Sequence, residues 1–173
     1  CVTPGDRDRY AALGGQRLVR VPLGIDTRAL QPRRDPAAPL RALFLGSFDH
    51  PPNREAARLL CEEIWPAVRR EEPTWELDLA GPGSDRFLAD CADRPAGVRG
   101  LGFVDDLTGL FARSRLFVAP LFSGGGIKIK ILEALARGIP TVTTPIGAEG
   151  IVTAADQLVA WAESPAACVQ AVL

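Results

Sequence analysis

Residues 122–138 read FSGGGIKIKILEALARG. Gly124, Gly125 and Gly126 stand ahead of a segment whose apolar residues recur at helical spacing. Ile127, Ile131 and Leu135 share one face, with Leu132 and Ala136 beside them. Glycine has no Cβ, so this loop can bring backbone N–H groups close to a ligand. The helix N-terminus behind it adds unpaired N–H donors and a partial positive charge, a combination suited to a phosphate. Lys128 and Lys130 fall in what should be the first helical turn, where a cation opposes the macrodipole by roughly 0.3–1 kcal/mol. An anion held there would reverse that sign. The chain has 20 Lys plus Arg, and these two are its only lysines. An anion site accounts for that placement; a solvated strand-to-helix loop would give the same string.

The 173 residues are 47% hydrophobic and 24% charged, which fits one globular domain with extensions rather than a disordered chain. A net charge of −1 argues against nucleic-acid or anionic-membrane binding through bulk electrostatics. No apolar run approaches the roughly 18–20 residues that span a bilayer. No secretory signal is present, and the missing initiator Met allows the first residue to be a boundary. Cys1, Cys61, Cys91 and Cys168 are scattered, with one histidine in the chain, so no zinc pattern emerges; reduced, mostly buried thiols in a cytosolic protein are expected. Arginine-heavy, alanine-rich usage points to a bacterium with a GC-rich genome.

Thr3-Pro4-Gly5-Asp6 predicts a capped helix to about Leu13. Leu18, Val19 and Val21 predict a brief strand ending at Pro22, and the proline-rich stretch 23–40 reads as a linker. The domain proper begins at Arg41. Ala42–Leu45 predicts a buried parallel strand and residues 51–70 a helix with Ala56, Leu59, Leu60, Ile64 and Val68 inward; Pro66 predicts a kink or an early end. Strands follow at 75–80, 98–101, 116–119 and 141–144. Ser84 is read as the cap of a helix to about Ala92, Asp105 or Asp106 as the cap of one to Ala112, and the tail is helical from Pro165. This alternation predicts an α/β fold, a doubly wound, Rossmann-like parallel sheet with its ligand beyond the carboxyl ends of the strands. No GxGxxG fingerprint opens any βαβ unit, which argues against a dinucleotide cofactor.

Several segments together resemble the donor-site motif of retaining glycosyltransferases of GT-B fold, the family often called family 4 or group 1. They are the glycine loop, 132–136 (LEALA), Gly138-Ile139-Pro140, 141–144 (TVTT) and Gly147-Ala148-Glu149-Gly150. Phe44-Leu45-Gly46-Ser47, Pro51-Pro52-Asn53 and Gly102-Phe103-Val104-Asp105-Asp106 match as well, and 21–26 (VPLGID) resembles the family's interdomain segment.

The resemblance implies that residues 41–173 are the C-terminal, donor-binding domain, truncated at its C-terminus. Residues 1–22 would be a remnant of the acceptor-binding domain and 23–40 the linker. It implies transfer of a hexosyl group from a nucleotide diphosphate sugar, with retention, as in polysaccharide biosynthesis. The location implied is the cytoplasm, up to the inner face of the membrane, with no metal and no cofactor beyond the substrate. The acceptor, a glycan, a lipid-linked glycan or a small molecule, would be held by the missing domain. Donor-binding residues on this reading are Gly46, Ser47, Asn53, Arg54, Phe103, Val104, Gly124, Gly125, Gly126, Ile127, Leu132 and Glu133. Glu133 would hold the ribose hydroxyls, as a carboxylate accepting from two neighbours can; its bland role is an i,i+4 pair with Arg137. Lys128 and Lys130 would stabilise the leaving diphosphate, with Arg54 third; His50 and Asp49 are either donor contacts or polar loop residues.

The chain departs from the family pattern in three places. Gly125 stands where relatives carry a sugar-contacting glutamate, Ser47 where many carry arginine, and Asn53-Arg54 near a usual lysine. Two alternatives remain open at this point: a nucleotide-sugar-binding module inactive on its own, or a GT-B-type nucleotide-sugar epimerase. Release of nucleotide diphosphate without acceptor would separate the epimerase from the transferase.

Overall fold

In the computed structural model, which describes residues 3–19, 21, 23–27, 39–151 and 159–173, the apolar runs become the strands of one parallel sheet. β1 (Arg41–Leu45), β2 (Glu76–Ala80), β3 (Val98–Gly100), β4 (Leu116–Ala119), β5 (Thr141–Thr143) and β6 (Val159–Trp161) lie in the order β3-β2-β1-β4-β5-β6. All neighbouring pairs are parallel. Leu43, Phe44, Leu77, Leu79, Phe117 and Val118 are fully buried, as continuous apolar strands covered on both faces must be. Each such side chain contributes about 1.5–3 kcal/mol on burial. β6 has no counterpart in the sequence reading, because three residues (VAW) carry too little pattern to separate a strand from a loop.

The helices are α1 (Pro4–Ala12), α2 (Pro51–Leu59), α3 (Trp65–Glu71), α4 (Ser84–Ala89), α5 (Leu107–Ala112), α6 (Ile129–Ala136) and α7 (Pro165–Val172). Thr3 and Asp6 close the expected capping box on α1, and Asp106 rather than Asp105 caps α5 by accepting from the Gly109 N–H. Pro66 does not end the helix. α2 and α3 are joined through a π turn, Leu60–Ile64, in which the Trp65 N–H donates to the Leu60 carbonyl. The wider turn makes room for a ring that would otherwise press on the carbonyl four residues back, and the helical course continues to Glu71.

Two further expectations are corrected. Leu18, Val19 and Val21 form no strand; Val19 and Val21 are 70% and 68% exposed, so this apolar run has no buried face to order it. Ser84 does not cap α4, whose N-cap is Gly83 in a left-handed conformation. Ser84 is instead fully buried, and its hydroxyl accepts from the Gly102 N–H at 2.9 Å, tying the loop after β3 to the start of α4. Most of the proline-rich linker, residues 28–38, lies outside the described residues.

β2 carries one buried acid. Asp78 is completely covered and takes a forked pair of bonds from Arg99, at 2.7 and 3.0 Å, with Arg41 and Arg113 within 4 Å. Charge-assisted, multiply bonded acceptance is what makes a carboxylate tolerable at that depth.

The carboxyl ends of β1 and β2 approach each other through glycine. Gly81 has φ 116°, and a Cβ there would land on the Gly46 carbonyl oxygen. Gly81→Ala should therefore cost roughly 2–4 kcal/mol from left-handed strain plus the clash. Gly125→Ala, where a Cβ meets nothing within 4 Å, serves as the control. Thermal unfolding followed by circular dichroism should show Gly81→Ala melting about 5–15 °C lower and Gly125→Ala within about 2 °C of the unaltered chain.

Candidate functional site

The sheet order reverses direction between β1 and β4: the chain leaves β1 toward β2 and leaves β4 toward β5. At such a switch point the two loops beyond the strand ends separate and leave a crevice. A cavity of about 320 Å³ occupies it here. One wall is Leu45, Gly46, His50, Pro52 and Asn53; the other is Leu121, Ser123, Gly124, Gly125, Ile127, Lys128, Ile129 and Lys130.

Lys130 is the centre of this arrangement. Its ammonium donates to the Asn53 side-chain oxygen at 2.5 Å and stands 4.7 Å from the centre of the Phe44 ring. Asn53 is oriented in turn, its amide donating to the Ser47 carbonyl at 2.9 Å. A Cβ on Gly46 would lie 2.7 Å from the Asn53 amide nitrogen and 3.0 Å from the ammonium, so Gly46 is the floor on which this pair rests. Burial, and then the charge of Lys128, lower the Lys130 pKa from 10.5 to about 8.

Lys128 is placed differently. It is the N-cap residue of α6, and its ammonium turns back to donate to the Gly126 carbonyl at 2.7 Å, with the Glu149 carboxylate 3.8 Å away. Burial lowers its pKa and Glu149 partly restores it. Lys128 thus ties the glycine loop to the helix start. No side chain caps α6, so its first-turn N–H groups face the cavity end of the helix without a side-chain acceptor. Gly124 and Gly126 both have positive φ, which shapes the loop around that end.

Of the residues singled out from the sequence, Gly46, Asn53, Gly124, Gly125, Ile127, Lys128 and Lys130 line the cavity, and so does His50. Gly126 contributes its carbonyl to Lys128, and Ser47 its carbonyl to Asn53. Arg54 faces away, into a neighbouring hollow of about 260 Å³ with Asp49, Arg86 and Asp90. Phe103 is 70% exposed beyond β3, while Val104 packs on the core. Leu132 and Glu133 are half-buried on α6 and do not line the cavity. Among the described residues no ion pair joins Glu133 to Arg137, whose guanidinium lies 4.6 Å over the Phe111 ring instead. The sequence reading missed Leu121 and Ile129, ordinary apolar residues by type. It also missed the bond from the Ser123 hydroxyl to Glu55, which spans 68 residues and leaves no local signal. Among the described residues no group of His, Cys, Asp and Glu could hold a metal ion, and no helix is long and apolar enough to cross a membrane.

Residues 39–173 match the family model described as glycosyl transferases group 1. Over 171 residues the chain is 28% identical to a lipopolysaccharide core biosynthesis mannosyltransferase of Rhizobium meliloti, covering 83% of this chain and 48% of that protein. It is 33% identical over 107 residues to a phosphatidyl-myo-inositol mannosyltransferase of Propionibacterium freudenreichii, covering 61% of this chain and 26% of that protein. The chain spans about half or less of the length of these curated relatives. Among solved structures, the Anabaena protein HepE in complex with UDP and glucose superposes with a TM-score of 0.74 at 15% identity, over 98% of this chain and 50% of that one. The C-terminal domain of a group 1 glycosyl transferase from Francisella tularensis gives 0.58 at 17% identity, over 85% of both.

Lys130 holds its proton less tightly in the folded chain than in the unfolded one, so folding should strengthen as pH rises from about 8 toward 10.5 and gain nothing from this group below that window. Lys130→Gln lacks the titrating amine. Urea unfolding from pH 7 to 10 should show the stability difference between the two moving in favour of the unaltered chain across that range. A difference flat with pH would mean that Lys130 titrates as an ordinary surface lysine.

Proposed function

This chain belongs to the glycosyl transferases group 1 family, and we propose that it supplies the half of a glycosyltransferase that holds a nucleotide diphosphate sugar. The observation that carries the reading is the part-buried Lys130 ammonium, fixed by Asn53 over Gly46 in a cavity lined by a glycine loop and the start of a helix with no side-chain cap. That combination of a desolvated cation, close backbone and helix end fits a diphosphate. The HepE structure, described with UDP and glucose, is a fold relative that supports the same ligand class.

On this reading Lys130, Lys128 and the N–H groups of Gly124–Ile127 stabilise the charge that grows on the departing nucleoside diphosphate, and positioning supplies much of the remaining rate. Transfer proceeds with retention at the anomeric carbon and requires no cofactor beyond the donor. Gly46, Ser47 and Asn53 shape the phosphate end of the site. Phe103 and Val104 contact the base, and Glu133 and Leu132 the ribose, along the rim outside the cavity; Arg54 remains the third cation. Residues 41–173 form the donor-binding domain and 23–40 the linker. Residues 1–22 belong with an acceptor-binding domain, a placement supported by α1, which buries none of its own residues here. The acceptor is a cell-envelope glycan, a lipid-linked glycan or a small molecule, and the reaction takes place in the cytoplasm or at the inner membrane face.

Calorimetric titration of the chain with UDP, GDP and ADP tests this. One nucleotide should bind, and the Lys128→Ala/Lys130→Ala double variant should bind it at least tenfold more weakly. Affinity of the unaltered chain should also fall as pH rises through about 8, because the ammonium that meets the phosphates is then lost. Failure of all three nucleotides to bind at millimolar concentration would overturn the assignment of this cavity.

A further inference from the structure

We propose that Glu55 is a sugar-recognising residue of this site, a carboxylate delivered to the lip of the cavity from α2 and held there by Ser123. The proposal rests on the reading of the cavity as a nucleotide-sugar site.

The geometry joins three elements. Ser123 lines the cavity, and its hydroxyl donates to the Glu55 Oε2 atom at 2.7 Å. Pro52, one turn before Glu55 on α2, also lines the cavity and lies against the glycine loop: a Cβ on Gly124 would be 3.3 Å from the Pro52 Cγ. The start of α2 and the glycine loop therefore close on each other, and the Glu55 carboxylate sits one hydroxyl away from the cavity. The Ser123–Glu55 bond is itself exposed, so a ligand in the cavity can reach it from solvent.

Local helix chemistry gives no reason for this acid to reach across. Glu55 is past the first turn of α2, and the neighbouring i,i+4 ion pair on that helix is Arg58 with Glu62. After accepting from Ser123, the carboxylate still has unused lone pairs at its exposed position.

Charge decides what those lone pairs would meet. The cavity has an ammonium on the Asn53 side, and beyond Ser123, just outside the lining, stands a carboxylate. A carboxylate beside phosphate oxygens is repulsive, so Glu55 fits the part of the ligand that is neutral and rich in hydroxyl groups. Two adjacent hydroxyls of a hexose donate to one carboxylate, and such charge-assisted bonds are about twice as strong as neutral ones. Ser123 is the positioning residue: its bond fixes the rotamer of a side chain that would otherwise move freely in solvent.

The test compares nucleotide sugar with bare nucleotide. Glu55→Gln keeps an oxygen for Ser123 to donate to but removes the charge; Ser123→Ala keeps the charge but frees the carboxylate. Each chain is titrated with UDP and UDP-glucose and with GDP and GDP-mannose. In Glu55→Gln the affinity for the matching nucleotide sugar relative to its nucleoside diphosphate should fall at least fivefold. The bare nucleotide itself should bind as tightly or more tightly, since a negative charge has left the lip. Ser123→Ala should shift the same ratio in the same direction, by less. A ratio unchanged in both variants overturns the proposal, and so does an equal weakening of both ligands, which would make Glu55 a loop tether only. Where ADP is the nucleotide that binds, ADP and ADP-glucose form the compared pair; failure of the unaltered chain to bind UDP, GDP and ADP overturns instead the reading of the cavity on which this assignment rests.

Discussion

Lys130 must hold its proton beside an amide oxygen, an aromatic ring face and the space that a side chain on Gly46 would enter. Much of the surrounding architecture follows from accommodating that group. A side chain at Gly46 would displace Lys130 and Asn53, because its Cβ would lie 2.7 Å from the Asn53 amide nitrogen and 3.0 Å from the ammonium. Asn53 must present its oxygen, and its nitrogen is therefore committed to the Ser47 carbonyl, which fixes the loop after β1. Phe44, at the core of the sheet, meets the cation with its ring face and so connects the hydrophobic interior to the site.

The sheet topology explains why this group sits here and nowhere else. Among the described strands the outgoing connections diverge between β1 and β4, and there a side chain from α6 reaches across to the residues following β1. The neighbouring β1–β2 junction shows the opposite condition. There the backbones at Gly46 and Gly81 press together so closely that a single methyl group would not fit. One gap is opened by topology and the adjacent one closed by glycine, and the cavity takes its position from both.

How much of this the sequence carried depended on whether the signal was local. The buried strands β1, β2, β4 and β5 were legible as apolar runs ending in glycine or proline, and α1 as a capping box, because each is determined by residues within a few positions. The glycine loop and its two lysines were legible as one cluster for the same reason, and the structure places them along one cavity. What the sequence did not show is set by partners far along the chain. Val19 and Val21 look like a strand but find no buried face. Ser84 has the chemistry of a cap, yet its hydroxyl serves Gly102, 18 residues away. Pro66 looks like a terminator, but a π turn ahead of it absorbs its ring. The division of labour between the lysines was equally hidden: adjacent on the string, one anchors its own loop and the other crosses to α2. Glu133 faced the same limit, since spacing puts it on α6 but does not say that it stands outside the cavity.

Lysine at position 130, in a chain that otherwise relies on arginine, has a consequence that arginine would not have. An arginine retains its charge at any accessible pH, and the chain does bury one: Arg137 is 8% exposed, lies over the Phe111 ring and has no ion-pair partner among the described residues. At position 130 the planar fork of an arginine would need more room than the 3.0 Å separating the Lys130 ammonium from the position of a Gly46 Cβ. A lysine lowered to about 8 lies within reach of neutrality. Above that pH it can shed its proton, as an arginine could not, so the charge at this one atom depends on pH.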